Sequence, residues 1–369
     1  GHRLFVRLDP ESVLPLLALD GVKWVEDRPA PKAGHNYDAA ALSGIDTLKS
    51  GAGLRGNNMV LAMWDEGLAD SGHADLAGRV SAGEQGSISA HSTHVAGSMT
   101  CSGLGNPSAE GMAPAATLWS YDYFGDPVLE HRRAKSDHGA LIANNSWGYV
   151  SGGETNYSGD GRAVWFGGNS ETESAFGNYS GITSSWDQLV AEHGLIVVKS
   201  SGNDRNDHGA SGKAHLHLGD AATLHYDHHE PDGEYGSIAQ IGSAKNVITV
   251  GAVDDAGGMP AFSAWGPTDD GRLKPDVVAN GVGVYSTYSN GRYSSLTGTS
   301  MAAPILSGAL ALIAERYAEL TGGLPSPHVI KALLAQTSRD QGTPGPDYAY
   351  GLGVLDADAA VALLDADGG

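Results

Sequence analysis

The stretch GTSMAAPILSGALALIAERYAEL, residues 298–320, sets a Gly-Thr-Ser-Met turn directly before a long apolar run. Ile305, Leu306, Ala309, Leu310, Leu312 and Ile313 cover most of a helix circumference, so the pattern predicts a central, buried helix over residues 300–320. Small residues at Ala302, Ala303, Ser307 and Gly308 let such a helix lie close against a sheet. Pro304 reads as a first-turn proline, where a missing N–H costs little. The helix start then opens into a crevice, and Ser300 stands on the positive end of the helix dipole. A serine there is either a helix cap or a nucleophile whose reaction develops an oxyanion; the stretch alone favours the cap.

The rest of the chain supplies the sheet. Residues 59–64 (MVLAMW), 117–121, 141–144, 195–199 (LIVVK) and 247–253 (VITVGAV) are short apolar runs without a polar face, as in strands covered on both sides. Helical patterns fall between them, over 91–100, 129–136, 184–193 and 327–336. This alternation predicts an α/β fold, a mostly parallel sheet flanked by helices, with active groups on loops at the carboxyl ends of the strands.

Composition limits the setting. The chain has 369 residues, with 22 Lys and Arg against 43 Asp and Glu, a formal charge of −21. That charge repels nucleic acid and anionic lipid and favours solubility. No run approaches a membrane span. Cys101 is the single cysteine, so no intrachain disulfide forms. No secretory signal stands at the N-terminus, which predicts a cytosolic or an already processed chain.

Three further element boundaries change the standing of Ser300. Asp65 follows the apolar run MVLAMW, where a carboxylate is costly unless paired. AHSTHVAGSM, residues 90–99, opens a helix with His91 and His94. A zinc reading of these two is disfavoured, because Ser92 takes the place of the glutamate in H-E-x-x-H. LIVVKSSGND, residues 195–204, ends a strand in Ser-Ser-Gly-Asn. Asn203 there is a turn residue or a donor to a developing oxyanion. A serine nucleophile needs a base and an orienting acid.

These stretches resemble the subtilisin-like serine proteases. Residues 91–97 match the family's His-Gly-Thr-His-Val-Ala-Gly motif at all but one place, and 298–304 match Gly-Thr-Ser-Met-Ala-x-Pro throughout. The order Asp, His, Ser is the subtilisin order. Similar stretches run from about residue 36 to about 360, including 110–118, 144–148, 244–253 and 262–281, the last closest to a branch of secreted bacterial alkaline proteases. The resemblance implies Ser300 as nucleophile, His91 as general base, Asp65 as orienting acid, and Asn203 with the Ser300 N–H as the oxyanion hole. It implies Ser146, Trp147 and Gly148 as one wall of the substrate pocket and Ser200, Ser201 and Gly202 as the other, with His94 structural. The function implied is a secreted, monomeric serine endopeptidase acting on proteins or peptides, with an apolar or aromatic residue before the cut bond. A peptide ligase on the same site and a degenerate peptide-binding module are the alternatives. Departures from the pattern are Ser92 for glycine, Trp64 and Glu66 beside Asp65, Asn280 for proline and Trp265 for arginine.

Calcium is implied by the resemblance, and the acidic turns at 203–207 and 268–271 are the places to seek it. The histidines between 208 and 229 stand at irregular spacings without cysteine, which favours a solvated polar loop over a transition-metal site. Residues 152–178, rich in Gly, Ser, Asn and Thr, read as a long surface loop beside the cleft. Residues 34–369 form the catalytic domain. Residues 1–33 read as a strand, a short helix and a second strand. They resemble the tail of a prodomain, cleaved but retained, and are expected to pack outside the active site.

Overall fold

The computed structural model describes residues 36–155, 157, 159, 161–167, 176–206, 214–229 and 236–367. The extension expected over residues 1–33 lies outside the described residues. Seven strands form the central sheet: β1 (Val60–Asp65), β2 (Val80–Ala82), β3 (Thr117–Asp122), β4 (Ile142–Asn145), β7 (Ile196–Ser200), β10 (Ile248–Val253) and β11 (Val277–Asn280). Their order is β11-β10-β7-β4-β1-β3-β2, and every pairing is parallel. A second sheet holds β5 (Gly153–Thr155), β6 (Ala163–Trp165), β8 (His215–His217) and β9 (Asp220–His225), and β12 (Val284–Tyr288) pairs with β13 (Arg292–Leu296) as a hairpin.

Strand alternation explains the apolar runs. Leu61 and Met63 of β1 join one hydrophobic cluster, and Ala62 and Trp64 join the other. Helices α2 (Ala90–Thr100) and α5 (Thr299–Thr321) cover the first face. Helices α3 (Pro127–His138) and α4 (Gly181–His193) cover the second. The α5 core positions Ile305, Leu306, Leu310 and Leu312 are fully buried, each stabilising the fold by about 1.5–3 kcal/mol relative to exposure.

The strand order places the crevice. From β1 the chain moves out to β2 at the sheet edge and back to β3, which lies between them. It then returns to β4 on the other side of β1 and continues to β7, β10 and β11. A parallel sheet opens at such a switch, outside the carboxyl ends of its strands. Asp65 ends β1, and Ser146 follows β4.

Three expectations are corrected. Pro304 is the sixth residue of α5 and lies beyond its first turn. A proline there lacks the N–H that would bond the carbonyl four residues back, and the Ser146 hydroxyl donates to that Ser300 carbonyl at 2.9 Å instead. The described part of the 152–178 segment is no plain loop, since it carries β5 and β6. The described part of the histidine-rich segment, 214–229, is no plain solvated loop either, since it carries β8 and β9. His215, His217 and His229 are buried, two of them on β8, because β8 pairs with β6 and β9.

Candidate active site

Two helix starts and two strand ends build the site. Ser89 caps α2, its hydroxyl accepting from His91 N at 3.1 Å and Ser92 N at 3.2 Å, which offsets two of the unpaired donors of the first turn. His91 is thereby the second residue of α2, just as Ser300 is the second residue of α5. Gly298, at φ 156°, ψ 163°, makes the sharp entry into α5 in a region that favours glycine.

Asp65 is fully buried at the end of β1. Its Oδ1 lies 2.6 Å from His91 Nδ1 and also accepts from Glu66 N at 2.8 Å and Ser92 Oγ at 3.1 Å. Ser92, where the resembling motif has glycine, thus adds a hydrogen bond to the acid. Burial pulls the His91 pKa down, but the charge and hydrogen bond of Asp65, with Glu66 behind them, outweigh it and leave the imidazole above its ordinary value. The single carboxylate oxygen aimed at Nδ1 fixes the tautomer: Nδ1 carries the proton toward Asp65, leaving Nε2 to act as a base.

His94 does something else. Its Nε2–H donates to the carbonyls of Val284 at 2.9 Å and Ser294 at 3.2 Å, tying α2 to the β12–β13 hairpin. Burial holds its pKa down at about 4, so it is neutral there. Gly97 permits this close approach, since a Cβ would meet Thr287 Oγ1 at 2.0 Å.

The Ser300 hydroxyl donates to the Ser146 carbonyl at 3.1 Å and makes no hydrogen bond to His91. With the Ser146 hydroxyl on the Ser300 carbonyl, the two serines are joined reciprocally. Asn203 is exposed, and its Oδ1 accepts from Thr299 N at 2.9 Å and Thr299 Oγ1 at 3.0 Å. A backbone N–H only donates, so the atom facing it is the amide oxygen and Nδ2 is turned the other way. Both Nδ2 and the Ser300 N lie near Gly298 at the mouth of α5, since a Cβ built on Gly298 would stand 3.6 Å from the first and 3.7 Å from the second.

Two cavities meet at Trp147 and Gly148. One is lined by Asp65, Glu66, His91, Tyr123 and Ser146, the other by Ser200, Gly202, Asn203, Thr299 and Ser300. Ser201 lines neither. It is fully buried, its N–H bonded to Val250. Lys199, which the sequence reading passed over, lines the second cavity with Tyr149 and Glu154. Its Nζ donates to the Ser200 carbonyl and hydroxyl, both at 3.0 Å, and it forms no ion pair with a carboxylate among the described residues. Burial lowers its pKa to about 7, only partly opposed by Asp204 and Asp65. A lysine inside an apolar strand run was the available signal.

The calcium implied by the resemblance finds no cage in the 268–271 turn. Both Asp270 oxygens accept from Arg272 Nε at 2.9 Å, and Oδ1 also accepts from Thr268. The 203–207 turn lies partly outside the described residues, and its Asn203 oxygen is taken by Thr299.

A model of the family described as "Subtilase family" matches residues 56–353. Subtilisin DY of Bacillus licheniformis is 29% identical over 318 residues, covering 84% of this chain and 92% of its own length. Subtilisin E of Bacillus subtilis is 27% identical, covering 96% of this chain and 79% of its own. Fervidolysin of Fervidobacterium pennivorans is 26% identical, with 83% of this chain covering 41% of that longer protein. Among solved structures, the Clostridium perfringens CspB protease superposes with a TM-score of 0.70 at 16% identity, over 89% of this chain and 99% of that one. The prenylagaramide maturation protease PagA gives 0.61 at 22%, over 86% and 98%. At these identities the structures establish the fold.

Proposed function

Because the chain belongs to the subtilase family of serine endopeptidases, we propose that it hydrolyses peptide bonds through Ser300, His91 and Asp65. The observation that carries this reading is the 2.6 Å contact from a fully buried Asp65 to His91 Nδ1, which frees Nε2 for the cleft. When substrate fills the cleft, the Ser300 hydroxyl leaves Ser146 for His91 Nε2. Catalytic hydrogen bonds of this kind commonly tighten only in the complex. Oγ attacks the scissile carbonyl as its proton passes to His91. Asp65 stabilises the imidazolium, and Asn203 Nδ2 with the Ser300 N–H receives the oxyanion. His91 returns the proton to the leaving amine. Water, deprotonated in turn by His91, then cleaves the ester.

The substrate residue before the cut bond enters the cavity between Gly148 and Ser200. The resemblance implies an apolar or aromatic side chain there. Lys199 supports a different preference: a buried amine without a carboxylate is satisfied best by a side chain that brings an acceptor, so glutamate or glutamine is favoured. The reading keeps the enzyme secreted, as the resemblance implies, and none of the described helices is long and apolar enough to cross a membrane.

Ser300→Ala tests the reading. Removing one half-buried hydroxyl is expected to abolish hydrolysis of a peptide amide while the circular dichroism spectrum and melting temperature stay near wild type. Residual activity above a few per cent in a folded variant rules Ser300 out as nucleophile.

A further inference from the structure

The second sheet brings together side chains that the proposed reaction does not use. His215 and His217 lie on β8, and Asp227 and His229 follow β9. The three histidines are buried while the Asp227 side chain is 52% exposed. Their donor atoms all lie within 4.8 Å of one another. His217 Nε2 is 2.9 Å from His229 Nε2. Asp227 oxygens stand 3.4 Å from His215 Nε2, 3.6 Å from His217 Nε2 and 3.4 Å from His229 Nε2. A tetrahedral ion with bonds of ~2.0–2.1 Å has ligand–ligand edges of about 3.3–3.4 Å. These spacings bracket that edge.

We propose that His215, His217, Asp227 and His229 form a structural site for a transition-metal dication of the zinc class. Three imidazole nitrogens and one carboxylate suit zinc and exclude calcium or magnesium, which take oxygen ligands. Trp165 of β6 stacks on His229 with centroids 4.4 Å apart and rings within 9°, which fixes one ligand's plane. The ion joins β8 to the residues that follow β9, and β8 in turn pairs with β6 of the 152–178 stretch. The 152–178 stretch reaches the substrate pocket, where Glu154 is a lining residue.

The test uses the full chain carrying Ser300→Ala, so that self-cleavage does not interfere. The protein is stripped with dipicolinate and titrated with Zn²⁺, and separately with Co²⁺. Expected are one equivalent of zinc bound below about 1 μM, a melting temperature raised by the ion, and the intense visible bands of tetrahedral cobalt. His217→Ala and Asp227→Asn, the latter on an exposed side chain that leaves folding intact, are expected to weaken binding at least ~100-fold. His228→Ala, an exposed neighbour, is expected to bind as before. Uptake below about 0.1 equivalent, weak octahedral cobalt bands, or unchanged affinity in Asp227→Asn overturns the proposal.

Discussion

At the residue scale the base is tuned by its neighbours. His91 is lowered by burial and raised more by Asp65 and by Glu66, and it must be neutral to accept the Ser300 proton. The acid limb of kcat/KM therefore lies above the ordinary imidazole value, and activity is lost as pH falls through it. Glu66→Gln keeps the acceptor that Ser89 Oγ bonds at 2.6 Å but removes the charge. The limb is expected to move to lower pH by less than about one unit, because Glu66 is exposed and screened. A limb that stays in place or moves to higher pH contradicts the assignment of His91 as base. Lys199 offers the second test at this scale. Wild type is expected to cut after glutamate about tenfold to a hundredfold faster, in kcat/KM, than after phenylalanine, the span of a charge-assisted hydrogen bond. Lys199→Ala is expected to reverse that order. A wild-type preference for phenylalanine removes Lys199 from specificity.

At the element scale, the serine-bearing helix is fastened to β4 through a bond that its own proline makes necessary. Pro304 withholds the N–H that would meet the Ser300 carbonyl, and Ser146 Oγ takes its place. Ser146→Ala should cost about 1–3 kcal/mol by stranding that carbonyl. In a Pro304→Ala background, where the backbone N–H returns, the same change should cost much less. Equal costs in urea unfolding of the two backgrounds would show that the two residues are not coupled. The central strands and helices were legible in the sequence because burial on both faces leaves uninterrupted apolar runs, as in β1, β7 and α5. The motif residues of the site were legible too, and the structure brings Asp65 to His91 and Asn203 to the mouth of α5. What was not legible depends on partners distant in the chain. The strand β8 carries His-Leu-His, which has no apolar run and is buried only because β6 and β9 flank it. Ser201 was read as a pocket wall, but just past the end of β7 it is fully buried with its N–H on the Val250 carbonyl. The role of Ser92 needed the position of Asp65, which no local pattern gives.

At the scale of the whole molecule, the fold brings together groups that the chain keeps far apart. Asp65 ends the strand at the switch point, His91 begins the helix on one face of the sheet, and Ser300 begins the long helix beside it. Neither hydrophobic cluster contains them, so both cores serve to hold the edges where they stand. The formal charge of −21 adds a repulsion that salt screens, which suits a molecule working free in solution. The central claim is that this convergence makes one serine nucleophilic. It is measured most directly by reaction with a fluorophosphonate, followed by mass mapping of the labelled peptide in wild type and in His91→Ala. The account predicts one label per chain, on Ser300, with the labelling rate falling at least ~100-fold when His91 is removed. A label on another residue, or a Ser300 rate indifferent to His91, would contradict it.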